Sequence, residues 1–551
     1  MENFEKRLSE LHPDFSKNNH SSVTQFREKR ELDEPIILYR PKAEEEVKRL
    51  IEGGFIKEAR LFEKVIQFIK TVENIGGRAL VVGGAVRDEL MGIPPKDYDV
   101  EVYGIPPEKL RELVKSFGPV YEVGAAFGIL KLKVEDREID ISLPRRESKT
   151  GRGHKDFSIN ADPYMSIKEA ARRRDFTFNT LAKDVLKGEI YDYFNGIADI
   201  QQRILRVTDE ERFRDDALRV LRGMQFIGRF GLMVEDRTAM IMREMRSELK
   251  YIAKERIKEE WVKLFLKSKK PSLGLQAAME WGIFHEMHPE IVKLTQTPQE
   301  PEWHPEGDVW IHTLMSVDTA AQIVEEEQLT GKEALIVLLA AFCHDFGKPL
   351  VTKEIEGKIR SRGHEEAGAE PAAKFLAEIG IEPSLREPII KLVTEHLKPT
   401  LFYLQEKKGQ KITDGAIRRL AFKLSPATLK ELVCVAKADH LGRGPFVDPN
   451  EPEKSFIPKD YPAGDWLLQR ASRLGIFESK PKPIIFGRDL IALGFPPGPL
   501  LGQIIKASEE MHVKGFSREE ILSFIYENKS SPPEELLEKI RNKNPENKKE
   551  V

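Results

Sequence analysis

The residues best suited to chemistry begin with Lys96-Asp97-Tyr98-Asp99-Val100-Glu101-Val102-Tyr103. Read as a strand, its period of two sets Tyr98, Val100 and Val102 on one face and Asp97, Asp99 and Glu101 on the other. Carboxylates two apart on one face lie roughly 7 Å from each other, so Asp97 and Asp99 can converge on one or two divalent cations. Glu138-Ile139-Asp140-Ile141-Ser142-Leu143 repeats the pattern and offers Asp140 as a third carboxylate. Such a set suits phosphoryl transfer, in which one Mg²⁺ acidifies an attacking hydroxyl and another neutralises a triphosphate. Taken alone, Asp97-x-Asp99 is more often an edge strand with a solvated acidic face. Its setting changes the balance. A dozen residues upstream, Ala79–Val82 runs into Gly83-Gly84-Ala85-Val86-Arg87-Asp88. Two glycines after a strand allow a tight turn that brings N–H groups to an anion, and Arg87 can add a bidentate phosphate contact.

A second set lies far downstream. His312 falls in an amphipathic stretch, Trp310–Val324, and His344-Asp345 ends the apolar run Ala334–Cys343, which Gly347 and Pro349 terminate. Adjacent side chains on a helix are about 100° apart, so His344 and Asp345 can both reach one ion at its flank. Ala438-Asp439-His440 supplies another carboxylate. Imidazole and carboxylate ligands suit Mn²⁺, Fe²⁺, Ni²⁺, Co²⁺ or Zn²⁺. A lone histidine beside apolar helices is ordinarily a satisfied core residue, and what argues otherwise here is the combination.

The elements that must position these residues follow from pattern. The strands expected are Ala79–Val82, Tyr98–Tyr103, Ile129–Val134 and Glu138–Leu143, and after Leu205 the periodicity is helical for most of the chain. Pro-rich breaks at Pro298–Pro305 and Pro445–Pro462 read as linkers. The 551 residues are too many for one ordinary domain. The division expected is a helical extension at 1–77, a sheet-bearing head at 78–205, a helical neck at 206–297, a metal-binding helical domain at 298–445, a helical module at 446–530 and a disordered tail at 531–551. The fold class is α+β, a small N-terminal sheet head followed by a mostly helical body. A net charge of −3 gives no global attraction to nucleic acid, so an RNA site must be a local basic patch such as Arg172-Arg173-Arg174 or Arg214, Arg219, Arg222 and Arg229. Two cysteines argue against a disulfide framework. Residues 1–20 hold no apolar signal core, and the longest apolar run, Ala334 to Cys343, is too short to span a bilayer. The expectation is a cytoplasmic protein with no membrane association and no obligatory protein partner.

Gly83–Asp88 followed by Lys96–Asp99 resembles the head of the class II CCA-adding tRNA nucleotidyltransferases and bacterial poly(A) polymerases. The likeness continues through Arg173–Ala182, through Asp192–Asp199 with Gly196, through Phe213–Arg222, and through Glu255-Arg256-Ile257 with Glu260. Five ordered motifs are far more specific than any one. The resemblance implies that Asp97 and Asp99 are catalytic carboxylates holding Mg²⁺, to which the strand pattern adds Asp140 as a third catalytic carboxylate. It implies that Gly84 and Arg87 hold the triphosphate and that Arg174 contacts the nucleotide. Asp216, Arg219 and Arg222 lie three apart on a predicted helix and so can face one pocket; they would read the Watson–Crick edge of CTP or ATP in place of a template. From spacing alone an Asp216–Arg219 surface ion pair is the plainer reading. The partners implied are tRNA, CTP and ATP. Pro144–Ala171, with Gly151, Gly153 and Pro163, corresponds to a flexible specificity loop of that family. Two departures bear on nucleotide choice: Asp215-Asp216 stands where Glu-Asp is usual, and Gln225 where Arg is common. CC-only, A-only or poly(A) addition therefore stay open.

His312, His344, Asp345 and Asp439 match the pattern of the HD-superfamily phosphohydrolases, with His364 and His396 where some members place further ligands. That resemblance implies a transition metal, Ni²⁺, Mn²⁺, Co²⁺ or similar, and phosphoester hydrolysis. Phe486–Leu490 to Pro497–Gly502 resembles a C-terminal piece that lies near tRNA in the family. Two further readings remain: a hydrolase whose head only binds RNA, and a pure RNA-binding module.

Overall fold

Valine, isoleucine and tyrosine dominate the short runs before Leu205, and their β-branched and aromatic side chains pack into one sheet. The computed structural model describes residues 32–123, 129–149, 157–447, 455–477 and 484–543. The sheet uses β1 (Ile36–Tyr39), β2 (Arg78–Val82), β3 (Tyr98–Tyr103), β4 (Val120–Val123), β5 (Ile129–Val134) and β6 (Arg137–Ser142). A separate hairpin, β7 (Arg145–Lys149) and β8 (Phe157–Ala161), precedes the last two sheet strands, β9 (Ala182–Asp184) and β10 (Glu189–Asp192). Strand order is β1-β10-β9-β2-β3-β6-β5-β4, with β2 antiparallel and β6 parallel to β3. Gly151 and Gly153 of the expected flexible loop lie outside the described residues.

By contact the chain divides into two units: Met1–Asp216 with Met233–Thr238, and Ala217–Leu232 with Ala239–Val551. In the first, Val81, Val100, Val102, Ile139 and Ile141 on one sheet face pack with Phe62, Val65, Phe68, Ile69 and Val72 of the helix Ile56–Asn74. Each such side chain, fully buried, contributes about 1.5–3 kcal/mol of transfer free energy. The described part of residues 1–77 is thus not the separate helical extension expected. Its Ile36–Tyr39 run joins the sheet beside β10, and its second helix forms part of the sheet's core. Glu58 on that helix accepts a 2.6 Å bond from Arg137 Nη2 at the start of β6, tying helix to sheet. The unit closes through Met233–Val234, which pairs with Ile204–Leu205, and through the ion pairs Arg206–Glu235 and Arg237–Glu210.

The second unit is helical around an aromatic core that includes Trp261, Phe284, Trp310, Phe342 and Phe375. Its helix Val309–Glu326 is joined to the start of the helix Pro271–Glu280 by Asp318, which accepts bonds from Ser272 N at 3.0 Å and Ser272 Oγ at 2.7 Å. One stretch, Gly331–Val351, is long and apolar enough to cross a bilayer, yet its most apolar part is mostly buried inside the protein, as a core helix would be. The tail expected to be disordered from 531 instead begins with a helix, Pro533–Asn542. Leu536 and Ile540, four apart, bury one face of it against Ile504, Ile521 and Ile525.

Candidate active site and metal centre

β3 and β6 run parallel in a register that sets Asp99 beside Asp140, and β2 sets Val82 opposite Asp99. The strand therefore delivers two carboxylates side by side at the point where β2 passes into Gly83. Asp97, two residues before Asp99, precedes β3 and is exposed, as is Asp99. Protein packed around Asp99 nonetheless pushes its carboxyl up to about 6; Arg174 pulls against this, while Asp140, Asp97 and Glu101 add to it. Asp140 Oδ1 lies 3.0 Å from Lys131 Nζ on the neighbouring strand β5. Carboxylate oxygens of this kind suit a hard cation.

The Gly-Gly turn works differently from a simple anion cradle. Gly83 has φ +71°, which favours glycine, and a Cβ there would meet Arg174 Nη1 at 2.6 Å and push that guanidinium aside. Gly84 opens the helix Gly84–Leu90. Arg87 on that helix is buried and donates to Asn179 Oδ1 at 2.7 Å and to Asp88 Oδ1 at 2.6 and 2.8 Å. Arg174 donates to Asn179 O at 3.4 Å. Glu101, buried on β3, faces both arginines: Arg173 Nη2 at 2.8 Å and Arg174 Nη2 at 3.6 Å, with Tyr103 Oη donating at 2.8 Å. Burial works to raise Glu101, but Arg174, Arg173 and the Tyr103 hydroxyl hold it below the usual carboxylate range. Asp192 and Asp199 of the third motif are structural. Asp192 accepts from the N–H groups of Phe194, Gly196 and Ile197, and Asp199 accepts from Thr177 Oγ1 and Arg206 Nε.

Asp216 departs from expectation. The helix begins only at Leu218, so Asp216 stands before it while Arg219 and Arg222 lie on it. Asp216 belongs to the first unit by contact and the two arginines to the second. Gln225 on that helix is buried.

In the second unit, the helix end at Cys343 turns His344 and Asp345 toward His312 and Asp439. His312 Nε2 lies 3.2 Å from His344 Nε2 and 3.2 Å from Asp439 Oδ1; His344 Nε2 lies 3.2 Å from Asp345 Oδ2. On the other side of the same carboxylate, Asp345 Oδ1 is 3.3 Å from His364 Nε2, which is 3.3 Å from His396 Nε2. Asp345 is thus shared by two donor groups, His312–His344–Asp439 and His364–His396. His344, His364 and His396 each place Nδ1 on a backbone carbonyl, at Ala341, Ser361 and Val393, 2.7 to 2.8 Å away. That bond fixes the Nδ1–H tautomer of a neutral ring and leaves Nε2 as a lone pair aimed inward. Two lone pairs facing each other at 3.3 Å repel unless a proton or a metal ion stands between them. Both oxygens of Asp345 are buried and accept no well-aligned hydrogen bond, a further sign that the set fits a metal. Burial works to raise Asp345, yet His344, Lys348 and His364 hold it well below the carboxylate range. Burial works to lower His312, but Asp439 and Glu306 push it up to about 9; burial and His364 bring His396 down to about 3.

Models for the poly A polymerase head domain, for a probable RNA and SrmB-binding site of polymerase A, and for the HD domain match residues 79–206, 231–294 and 309–444. The chain carries a poly A polymerase head domain, a polymerase A RNA-binding region and an HD domain. Solved structures share its fold. The Bacillus stearothermophilus CCA-adding enzyme in complex with CTP aligns at a TM-score of 0.55 and 21% identity, over 85% of this chain and 97% of that one. A CCA-adding enzyme with ATP aligns at 0.52 and 19%, over 90% and 100%.

Within the HD domain, several residues about the centre were not visible in the sequence. The supposed linker before it carries Gln299, His304 and Glu306. Gln299 Oε1 accepts from Lys348 Nζ at 2.7 Å, and Lys348 Nζ lies 2.7 Å from Asp345 Oδ2. Glu306 accepts from His304 Nδ1 at 2.9 Å and from Gly444 N at 3.1 Å. The only local hint was a His-Pro-Glu run inside a Pro-rich stretch. In the head, Glu101 was seen as a third acidic residue on the strand, but its pairing with Arg173 and Arg174 was not. Among the described residues, the groups of three or more metal-capable side chains within 4.8 Å all lie in the second unit, and Asp97, Asp99 and Asp140 do not form one.

Proposed function

We propose that the protein is a template-independent tRNA nucleotidyltransferase that adds CCA from CTP and ATP to tRNA 3′ ends. The observation that carries this reading is the side-by-side register of Asp99 and Asp140 next to the Gly83 turn. Solved structures of the same fold are CCA-adding enzymes in complex with CTP and with ATP, which supports the substrate class. Asp97, Asp99 and Asp140 would hold Mg²⁺, which when bound acidifies the 3′-hydroxyl and neutralises the leaving pyrophosphate. The chain's own work is positioning. Gly83 and Gly84 bring backbone and Arg174 close together. Arg87, held by Asp88 and Asn179, fixes the geometry of the turn and stands behind the triphosphate-binding role assigned to Gly84. Glu101 holds Arg174 where it can donate to the nucleotide. Nucleotide choice is assigned to Asp216, Arg219 and Arg222, following the fourth motif.

The test is incubation with a tRNA transcript lacking CCA and with labelled CTP and ATP, separately and together. CCA addition requires C incorporation without ATP and A incorporation only after C. Long A tails on any RNA would make the chain a poly(A) polymerase, and C without A a partial enzyme.

A second activity is favoured by the convergence of His312, His344, Asp345, Asp439, His364 and His396. We infer that the HD domain is a metal-dependent phosphohydrolase. A metal of the Ni²⁺, Mn²⁺ or Co²⁺ class would supply the acidified water, and the imidazoles of His344, His364 and His396, each locked by its Nδ1 bond, would present nitrogen donors without rearrangement. Release of phosphate or opening of a cyclic phosphodiester by the metal-loaded chain, lost in His344→Ala with Asp345→Ala, is the measurement.

A further inference from the structure

One carboxylate beside the HD centre has no part in the reading above. Glu306 Oε1 stands 2.9 Å from His312 Nδ1, somewhat off the ring N–H axis, and accepts a hydrogen bond from His304 Nδ1 at the same distance. Its other oxygen accepts from Gly444 N, just beyond the helix that carries Asp439. Glu306 and His312 are both fully buried. The remaining imidazoles have neutral partners: His344, His364 and His396 rest on carbonyl oxygens, and Glu365 Oε2 is 3.6 Å from His364 Nδ1, beyond hydrogen-bonding reach. A carboxylate behind an imidazole makes it a stronger donor than a carbonyl does. The two donor groups also differ in charge: one has Asp439 beside the shared Asp345, the other has Asp345 alone.

We propose that Glu306 makes the two cation positions unequal, so that the His312–His344–Asp439 position fills first and holds its ion more tightly than the His364–His396 position. The inference rests on the reading of this cluster as a metal centre. Glu306 is a positioning residue: it touches no substrate and acts through His312. The segment it occupies, 298–308, is on this view part of the centre.

The test strips the full chain with a chelator and titrates it with Co²⁺, following ligand-field absorption and heat. In the Asp97→Asn with Asp99→Asn background, where the head contributes no ion, the HD centre should take up two equivalents, the first about tenfold or more tighter than the second. Glu306→Gln should weaken the first by about 10–100-fold, as loss of a partner behind a metal-bound imidazole does, and shift its absorption band while leaving the second in place. His396→Ala should remove the second and spare the first. Glu306→Asp keeps the charge but draws it back, and should fall between wild type and Glu306→Gln; it serves if Glu306→Gln does not fold. Two equivalents with unchanged affinities and spectra in the Glu306 variants would overturn this inference and leave the metal centre standing. A uniform weakening of both, accompanied by a lower thermal midpoint of the chelated protein, would reduce Glu306 to a scaffold role and overturn it too. A wild-type chain that binds no Co²⁺ would sink both readings.

Discussion

Gly83 carries two constraints that a sequence pattern cannot separate: a left-handed φ and a guanidinium packed where a side chain would start. Gly83→Ala should cost about 1–2 kcal/mol in backbone strain and displace Arg174. Because each 1.4 kcal/mol of lost transition-state contact is about tenfold in rate, kcat/KM for nucleotide addition should fall by at least that factor. Steady-state kinetics with unchanged kcat and KM would remove Arg174 from the reaction. At this scale the sequence was legible where function depends on local spacing. Asp97, Asp99 and Asp140 announce themselves through strand alternation, and His344-Asp345 through adjacency at a helix end. It was silent where partners come from distant segments. Glu101 meets Arg173 across more than seventy residues, and Glu306 meets Gly444 across more than a hundred. Neither meeting leaves a period in the chain.

Two links between elements can be tested by pH and by substitution. Asp318 sits buried at the start of the helix Pro271–Glu280, and burial pushes its carboxyl up to about 6 from an ordinary 3.8, with the Ser272 bonds pulling the other way. The folded state therefore binds more protons than the unfolded one between about pH 4 and 6. Stability from this group is full below that window and is lost as pH rises through it, by up to roughly 3 kcal/mol for two pKa units. Asp318→Asn should gain thermal midpoint relative to wild type from pH 4 to 6 and level off above; a difference that stays flat across pH would refute the assignment. In the head, Arg137→Ala leaves Glu58 partly buried without its cation. A charge-assisted bond of this kind is worth roughly 1.5–3 kcal/mol, so the first unit should melt earlier, and faster amide exchange in the helix Ile56–Asn74 is the direct readout. The boundaries of β2, β3, β5 and β6 followed from periodicity to within a residue, whereas β4, β7, β8, β9 and β10 and the assignment of residues 32–77 to the sheet did not. Ile36–Tyr39 is only four residues long, and its partner β10 lies about 150 residues away, so no local signal marks it as a strand of this sheet.

Across the molecule, the two centres should be separable. Asp97→Asn with Asp99→Asn should abolish nucleotide addition while Co²⁺ uptake and any phosphohydrolase activity persist. His344→Ala with Asp345→Ala should do the reverse. Loss of both activities in either double variant, with circular dichroism unchanged, would mean that they share machinery. The broad architecture, a sheet-bearing head followed by helices, was readable from composition and motif order because each class of element has its own period. The limits of the two units were not, since contact in space need not follow chain order.

The first unit is completed by residues 233–238, which return after the helix Leu218–Phe230 has been contributed to the second. During synthesis, then, the head cannot close Ile204–Leu205 against Met233–Val234 until the chain has grown past Thr238. A fragment cut at Asp216 loses that pairing together with the Arg206–Glu235 and Arg237–Glu210 ion pairs. No single cut or recombination point frees either unit whole, so the two are inherited as a pair, and a crossover that swaps the head alone leaves both with a missing piece.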